Sequence, residues 1–180
     1  MSSDETRLTT TTASLREAFD RSFAEAPPAA TARPLDFLTF RAGGDPYAVA
    51  LADVAAIHRE RKIVRLPNRS PELLGIAGFR GMMAPVYDIG ALLGYPATPN
   101  ATWLVIARGK SPVGLAFERF EAQLRVSPDD ISPDDKENGA RHHLRGAVRV
   151  DQVLRPLIHV ASILEAIARR AHADGLPQER

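Results

Sequence analysis

The sequence predicts a mainly β protein in which two small antiparallel barrels pack together, with one amphipathic helix before them and one after. Three observations predict this fold. Apolar residues alternate with a period of two in short runs bounded by turn residues, two blocks of the chain recur at fixed offsets, and helical spacing of apolar residues is confined to the two ends. Closed barrels also remove exposed strand edges, which isolated hairpins cannot do.

The composition favours an intracellular protein with no disulfide or thiolate chemistry. The chain has 180 residues, 44% of them hydrophobic, with 23 basic and 22 acidic residues and no cysteine. This content can bury one sizeable core or two small ones, and the charge balance lacks the basic excess of nucleic-acid binders. The absence of cysteine fits a reducing cytoplasm. No apolar run reaches the roughly 20 residues that span a bilayer, so no membrane insertion is expected.

Residues 1–34 are predicted to form an extension that carries one amphipathic helix and a linker. Ser14 and Glu17 fit a capping box, and Leu15 and Phe19 follow on one helical face. Prolines at 27 and 28 end this helix. Such a short helix is not stable alone, so we expect it to dock on the main domain, the alternative being contact with a partner. The main domain is predicted over residues 35–173, and residues 174–180 form a tail.

The first repeated block is a pair of strands joined by a turn. Residues 37–41 and 47–51 alternate in polarity around a Gly-Gly-Asp-Pro turn, and the same arrangement recurs 66 positions later at 103–107 and 113–117. A gapless superposition places Phe37 on Trp103 and Phe40 on Ile106.

The second block recurs at an offset of 71. Gly75 and Gly146 each precede a proline by ten positions, and an apolar strand running into a helical turn follows both prolines. The extra five residues fall in the acidic loop 127–139. Turn residues and prolines at matching offsets indicate a duplication, hence two barrels built alike. The second copy ends in a longer helix, with an apolar face formed by Ile163, Leu164, Ile167, Ala168 and Ala171.

No group of residues predicts catalysis or a metal site, so we expect no enzyme activity and no cofactor. Adjacent His142 and His143 project in different directions, which makes them a poor pair of ligands for one metal. The paired aspartates of the acidic loop do not alternate as calcium ligands do and instead fit helical-turn starts. A hydrolase would need a nucleophile beside a base, and the sequence offers no such pair.

The most unusual segment is residues 75–81 (GIAGFRG). A phosphate-binding loop would need a following helix or Lys-Ser/Thr, whereas a strand follows here. Glycines at intervals of three allow bulges and close chain crossings. Arg80, beside Phe79 and framed by glycines, has the character of a pre-ordered interface anchor.

These residues resemble the CheW-like domain of bacterial chemotaxis adaptors. Residues 74–81 with 85–89 (PVYDI) match the family's Gly-Val-x-Asn-Leu-Arg-Gly and Pro-Val-x-Asp-Leu signature, except that Gly78 and Phe79 replace Asn and Leu. Residues 37–57, residues 113–120, and Gly146 with residues 156–160 carry the rest of the resemblance, which spans about residues 34–171.

The resemblance implies two SH3-like five-stranded barrels and an adaptor between two protein partners. One partner is the regulatory domain of a histidine kinase, which in the family binds at positions matching Val54, Ala56 and Ile57. The other is the cytoplasmic tip of a methyl-accepting chemoreceptor. Phe79 and Arg80 match the family positions that couple receptor and kinase. Family members often carry an acidic residue where Ala56 stands. The expected output is flagellar or surface motility, and the expected location is a cytoplasmic array recruited to membrane receptors.

An alternative function is that of a small-barrel nucleic-acid binder. Its support is the basic stretch from His58 to Lys62, with Arg65 and Arg69. Such charge runs usually form solvated faces, and the balanced net charge of +1 disfavours this alternative.

Overall fold

The computed structural model describes residues 33–67, 70–97, 101–132 and 143–173, with side chains as far as residue 171. The predicted N-terminal helix and the tail from residue 174 lie outside the described residues, as does most of the acidic loop. Within the described residues the chain forms eleven strands and two α-helices, which confirms the mainly β prediction. The strands are β1 (Leu35–Ala42), β2 (Asp45–Ala50), β3 (Val54–Arg59), β4 (Leu73–Phe79), β5 (Met82–Asp88), β6 (Trp103–Ala107), β7 (Val113–Phe117), β8 (Arg119–Val126), β9 (Ile131–Ser132), β10 (Leu144–Val150) and β11 (Val153–Ile158); the helices are α1 (Ile89–Leu92) and α2 (Val160–Ala173).

The strands form two sheets, each curled as a small barrel. Barrel A has the strand order β8-β1-β2-β11-β10-β9, and barrel B has the order β3-β6-β7-β5-β4. Neighbouring strands are antiparallel except for β2 with β11 and β5 with β7, which are parallel. The barrels are therefore mixed rather than wholly antiparallel. An isolated antiparallel β-bridge joins Val64 to Ile76 of β4, along the edge of β4 that does not pair with β5.

The duplication does not assign one repeat to one barrel. The first repeat supplies β1 and β2 to barrel A and β3, β4 and β5 to barrel B. The second repeat supplies β6 and β7 to barrel B and β8 to β11 to barrel A. Each barrel thus combines the leading hairpin of one repeat with the later strands of the other.

The strand registers confirm the offset of 71 in the second block. Ile76 pairs with Pro85, and Ala147 pairs with Pro156 at the corresponding place. The two hairpin turns that follow match as well, since both central residues of each have positive φ.

The gapless superposition of the first block is wrong by one residue in its first strand. Six residues separate the paired Phe40 and Tyr47, whereas five separate the paired Ala107 and Val113. The position that corresponds to Phe40 is therefore Ala107, and Phe37 corresponds to Leu104 rather than Trp103. Because the second connection is one residue shorter, a gapless alignment cannot match both of its strands.

Three apolar clusters hold the fold together. The largest lies between the barrels and includes Phe40 and Phe117, whose ring centroids are 4.7 Å apart. A second cluster fills barrel B and a third fills barrel A. Helix α2 packs on the largest cluster through Ile163 and Ile167, as predicted, but Ala168 is exposed and the buried alanine is Ala166. Ala166 lies three residues after Ile163, which places it on the same helical face.

Helix α1 begins where the sequence predicts a strand running into a helical turn. Asp88 ends β5, and its Oδ1 accepts hydrogen bonds from the backbone N–H of Gly90 at 2.8 Å and of Ala91 at 3.3 Å. This cap satisfies two donors that the first turn of a helix otherwise leaves without partners.

An ion cluster lies at one end of barrel A. Glu121 accepts hydrogen bonds from the Arg41 Nε at 2.8 Å and from the Arg155 guanidinium. Glu121 and Arg155 are mostly buried. Burial raises the pKa of the Glu121 carboxyl, but the two guanidiniums together outweigh it and hold that pKa below its usual value. Removing one member of such a cluster leaves a poorly solvated charge without its partner.

Replacement of this carboxylate is predicted to destabilise the fold strongly. We expect Glu121→Ala to lower the free energy of unfolding by about 2–3 kcal/mol, since Arg155 would stay buried and unpaired. Urea denaturation measures the change. Asp36→Ala is the matched control because Asp36 pairs with Arg125 on the surface, where the pair contributes much less. Equal losses in the two variants would show that burial of the Glu121 cluster does not matter.

Candidate functional site

Strand β3 carries the three residues predicted to bind a kinase, but it presents them unequally. A bulge between Val54 and Ala56 interrupts the pairing with β6. Val54 is only 6% exposed and belongs to the core between the barrels, whereas Ile57 is 38% exposed. A partner would therefore touch Ile57 but little of Val54. Ala55, which the sequence analysis did not single out, is exposed on this strand instead.

Arg80 lies at the tip of the hairpin formed by β4 and β5. Arg80 and Gly81 are the two turn residues, and their φ angles are +46° and +84°. Positive φ at both positions is the geometry of a type I′ turn, which matches the twist of the flanking strands. The conformation is unfavourable for arginine, so the surrounding hairpin imposes it. Arg80 is exposed and forms no ion pair with the described residues.

Phe79 anchors this tip in the core of barrel B. Its side chain is 5% exposed and packs with Ala77, Val86 and Ile106. Phe79 therefore contributes mainly by fixing the position of its neighbour Arg80, and little of its ring is available to a partner.

The structure brings β3 and the Arg80 tip together. The His58 ring lies 5.2 Å from the Phe79 ring, and the Arg61 guanidinium lies 5.7 Å from the centre of the same ring. His58 follows Ile57, and Phe79 precedes Arg80 in the chain. These contacts place the end of β3 beside the hairpin tip. The surface around them is called here the Phe79 surface and is defined by Ile57, His58, Arg61, Lys62, Arg80, Met82 and Met83.

Two methionines on the Phe79 surface were missed by the sequence analysis. Met82 and Met83 are 56% and 58% exposed, although they directly follow the turn. Met83 pairs with Gly78, and a Cβ at Gly78 would lie 3.7 Å from the Met83 sulfur. Flexible thioether side chains adapt to varied partner shapes. In the sequence, the only indication that these methionines are exposed is that they directly follow the turn that contains Arg80.

The electrostatics of the surface are set by its cations. Partial burial lowers the pKa of His58, and the nearby positive charges of Arg61 and Arg80 lower it further. His58 is therefore mainly neutral near pH 7.

Among the described residues, no group of three or more His, Asp or Glu side chains could hold a metal ion. No described helix is both long enough and apolar enough to cross a membrane.

Comparison with known proteins identifies the family. The sequence profile of the CheW-like domain matches residues 36–168 of this chain. The chain belongs to the CheW-like domain family. The matched range contains every described strand except the first residue of β1, and it includes the whole Phe79 surface.

Relatives of this CheW-like chain are similar over most of their length. It is 26% identical to the "Chemotaxis protein CheW" of Rhizobium meliloti, over 76% of this chain and 91% of that protein. It is 27% identical to "Protein FrzA" of Myxococcus xanthus, over 81% of this chain and 95% of that protein. The crystal structure of the scaffolding protein TtCheW from Thermoanaerobacter tengcongensis superposes with a TM-score of 0.64 at 18% identity, covering 69% of this chain and 88% of that one. This likeness confirms the fold of two β barrels.

The lowered pKa of His58 predicts that stability falls on mild acidification. The folded pKa lies below the unfolded value of 6.5, so the unfolded chain binds the proton first as the pH falls. Stability is then lost from about pH 6.5 down to the folded pKa. We expect the urea midpoint to drop between about pH 7.5 and about pH 5.5, and His58→Gln to reduce that drop. An identical pH dependence in the variant would contradict this assignment.

Proposed function

We propose that this chain is a non-catalytic cytoplasmic adaptor that couples chemoreceptor tips to a histidine kinase in a chemotaxis-type pathway controlling flagellar or surface motility. The observation that carries the proposal is the family match over residues 36–168. Similarity to proteins named as chemotaxis proteins, and to the scaffolding protein TtCheW, supports it.

The kinase regulatory domain is proposed to bind at β3. Ile57 supplies exposed apolar area, whereas Ala56 packs against the core of barrel B. Val54 supports the strand from the core side. Apolar area at the centre of an interface contributes most of its affinity, whereas exposed rim charges contribute mainly to the association rate.

Arg80 is proposed to couple receptor and kinase, with Phe79 as its support. A type I′ turn on a packed hairpin presents the guanidinium with little backbone freedom. Less conformational entropy is then lost on binding, and the planar guanidinium can bind a carboxylate through two hydrogen bonds. A receptor tip would bind as a helical hairpin between the barrels, a helix-in-groove mode of recognition.

Such an adaptor transmits a signal without chemistry. A scaffold that binds one conformation of its partner more tightly shifts the partner's equilibrium by that difference in affinity. Repetition of the contacts in an array increases the effective concentration of each partner, so small differences are amplified.

Charge reversal at the tip tests the proposal. We expect Arg80→Glu to weaken binding of the kinase regulatory domain or the receptor tip by tenfold or more, about 1.4 kcal/mol. Purified partners from the same genome and isothermal titration calorimetry provide the measurement. Arg149→Glu is the matched control, because Arg149 is an exposed arginine on β10 of barrel A.

The circular dichroism spectrum and urea midpoint of Arg80→Glu should match those of the wild type, which would exclude misfolding as the cause. Unchanged affinity of a folded variant for both partners would reject the role of Arg80. Absence of binding by the wild-type chain would reject the adaptor function itself.

A further inference from the structure

The Phe79 surface carries more positive charge than the described residues neutralise. Arg59 pairs with Glu60 at 3.2 Å. Arg61, Lys62 and Arg80 form no ion pair with any other residue in the described part of the chain. Three cations of this surface thus lack an ion-pair partner among the described residues, in a protein whose formal net charge is only +1.

Two of these cations lie near one aromatic ring, and Lys62 directly follows the first of them in the chain. Arg61 lies over the face of Phe79, and Arg80 is its chain neighbour at the hairpin tip. The lowered pKa of His58, to which both guanidiniums contribute, is consistent with this crowding. Like charges held at such short range repel each other, and an anionic partner would relieve that repulsion.

Exposed apolar side chains lie beside the cations. Met82 and Met83 follow the tip, and Ile57 precedes His58, whose ring contacts Phe79. An apolar centre with a charged rim is the usual composition of a protein–protein interface. The surface therefore suits a partner that supplies carboxylates around apolar side chains.

We propose that the Phe79 surface docks an acidic protein segment, one that places carboxylates against Arg61, Lys62 and Arg80 and apolar side chains against Met82 and Met83. This inference rests on the proposed adaptor function and identifies the chemistry of the partner at that site. The charges accelerate association by attraction before contact, and the methionines and Ile57 supply the apolar area.

A protein segment fits the surface better than a nucleic acid does. Single-stranded nucleic acids bind through aromatic side chains on which bases stack. The Phe79 ring is 5% exposed and has His58 and Arg61 against it, so it offers no free face for a base. Exposed methionine side chains suit apolar protein side chains rather than phosphates.

Association kinetics test the inference. The variant is Arg61→Gln combined with Lys62→Gln, and the probe is the kinase regulatory domain or receptor tip that binds the wild-type chain. Association rates are measured from about 0.1 M to about 1 M salt, over which the screening length falls from about 10 Å to about 3 Å. We expect the wild-type rate to fall about tenfold or more across this range, and the variant to be about tenfold slower at the low end.

At about 1 M salt the two rates should converge, because screening removes the electrostatic attraction in both proteins. A difference that persists at high salt would indicate damage to the packing of Phe79 and overturn the inference. The matched control is Arg145→Gln combined with Arg149→Gln, two exposed arginines on β10, which should leave the rates unchanged.

The remaining outcomes separate the two proposals. Binding by the wild-type chain with no salt dependence would overturn the acidic-segment inference and leave the adaptor function standing. Binding of neither partner would overturn both. Submicromolar binding of a mixed-sequence single-stranded DNA that competes with the protein partner would assign the surface to nucleic acid instead.

Discussion

The two parallel strand pairs are the constraint on which the rest of the structure depends. β2 pairs with β11, and β7 pairs with β5, so the hairpin of each repeat is held between strands of the other repeat. Neither repeat can close a barrel by itself, since each would leave strand edges without partners. The apolar cluster between the barrels also draws on β1, β2, β6, β7 and α2. The two barrels therefore depend on each other and are expected to unfold as one cooperative unit.

The sequence predicts the strands and the duplication well because turns leave residue-specific marks. Gly75 and Gly146 both adopt positive φ, and the prolines ten residues later pair at matching positions, so the offset of 71 is accurate. By contrast, no residue pattern shows that the leading hairpin of each repeat joins the barrel formed by the later strands of the other repeat. A strand keeps its alternation whichever neighbour it pairs with, because the pattern records which face is buried and not which strand lies beside it.

Local structure decides which of the predicted site residues are exposed, and the sequence shows this only in part. The bulge in β3 shifts its register with β6, while burial along the strand still alternates, so Val54 faces the core and Ile57, three residues on, is exposed. A bulge adds one residue to a strand, and nothing in an alternating run of small apolar residues shows where that residue falls. Arg80 was found because its flanking glycines are unusual in a strand. Met82 and Met83 were missed because apolar residues next to a turn resemble the start of a buried strand.

Comparison of the two repeats separates features of the fold from features of the site. Arg80 and Asp151 occupy the same position in matching turns, with φ angles of +46° and +47°, so the turn geometry belongs to the fold. The side chains at this position have opposite charge. Glu121 and Arg155 of barrel A form the ion cluster, and the corresponding residues of barrel B are Ala55 and Ala84, at offsets of 66 and 71.

That divergence gives the two barrels different arrangements of charge. In barrel A the carboxylate of Glu121 pairs with both Arg41 and Arg155, so the charge of this cluster is neutralised within the domain. In barrel B the position of that carboxylate is taken by Ala55, and Arg61 and Arg80 form no ion pair with the described residues. A carboxylate supplied by a partner, as proposed above, would offset the repulsion between these two guanidiniums and so favour the bound state.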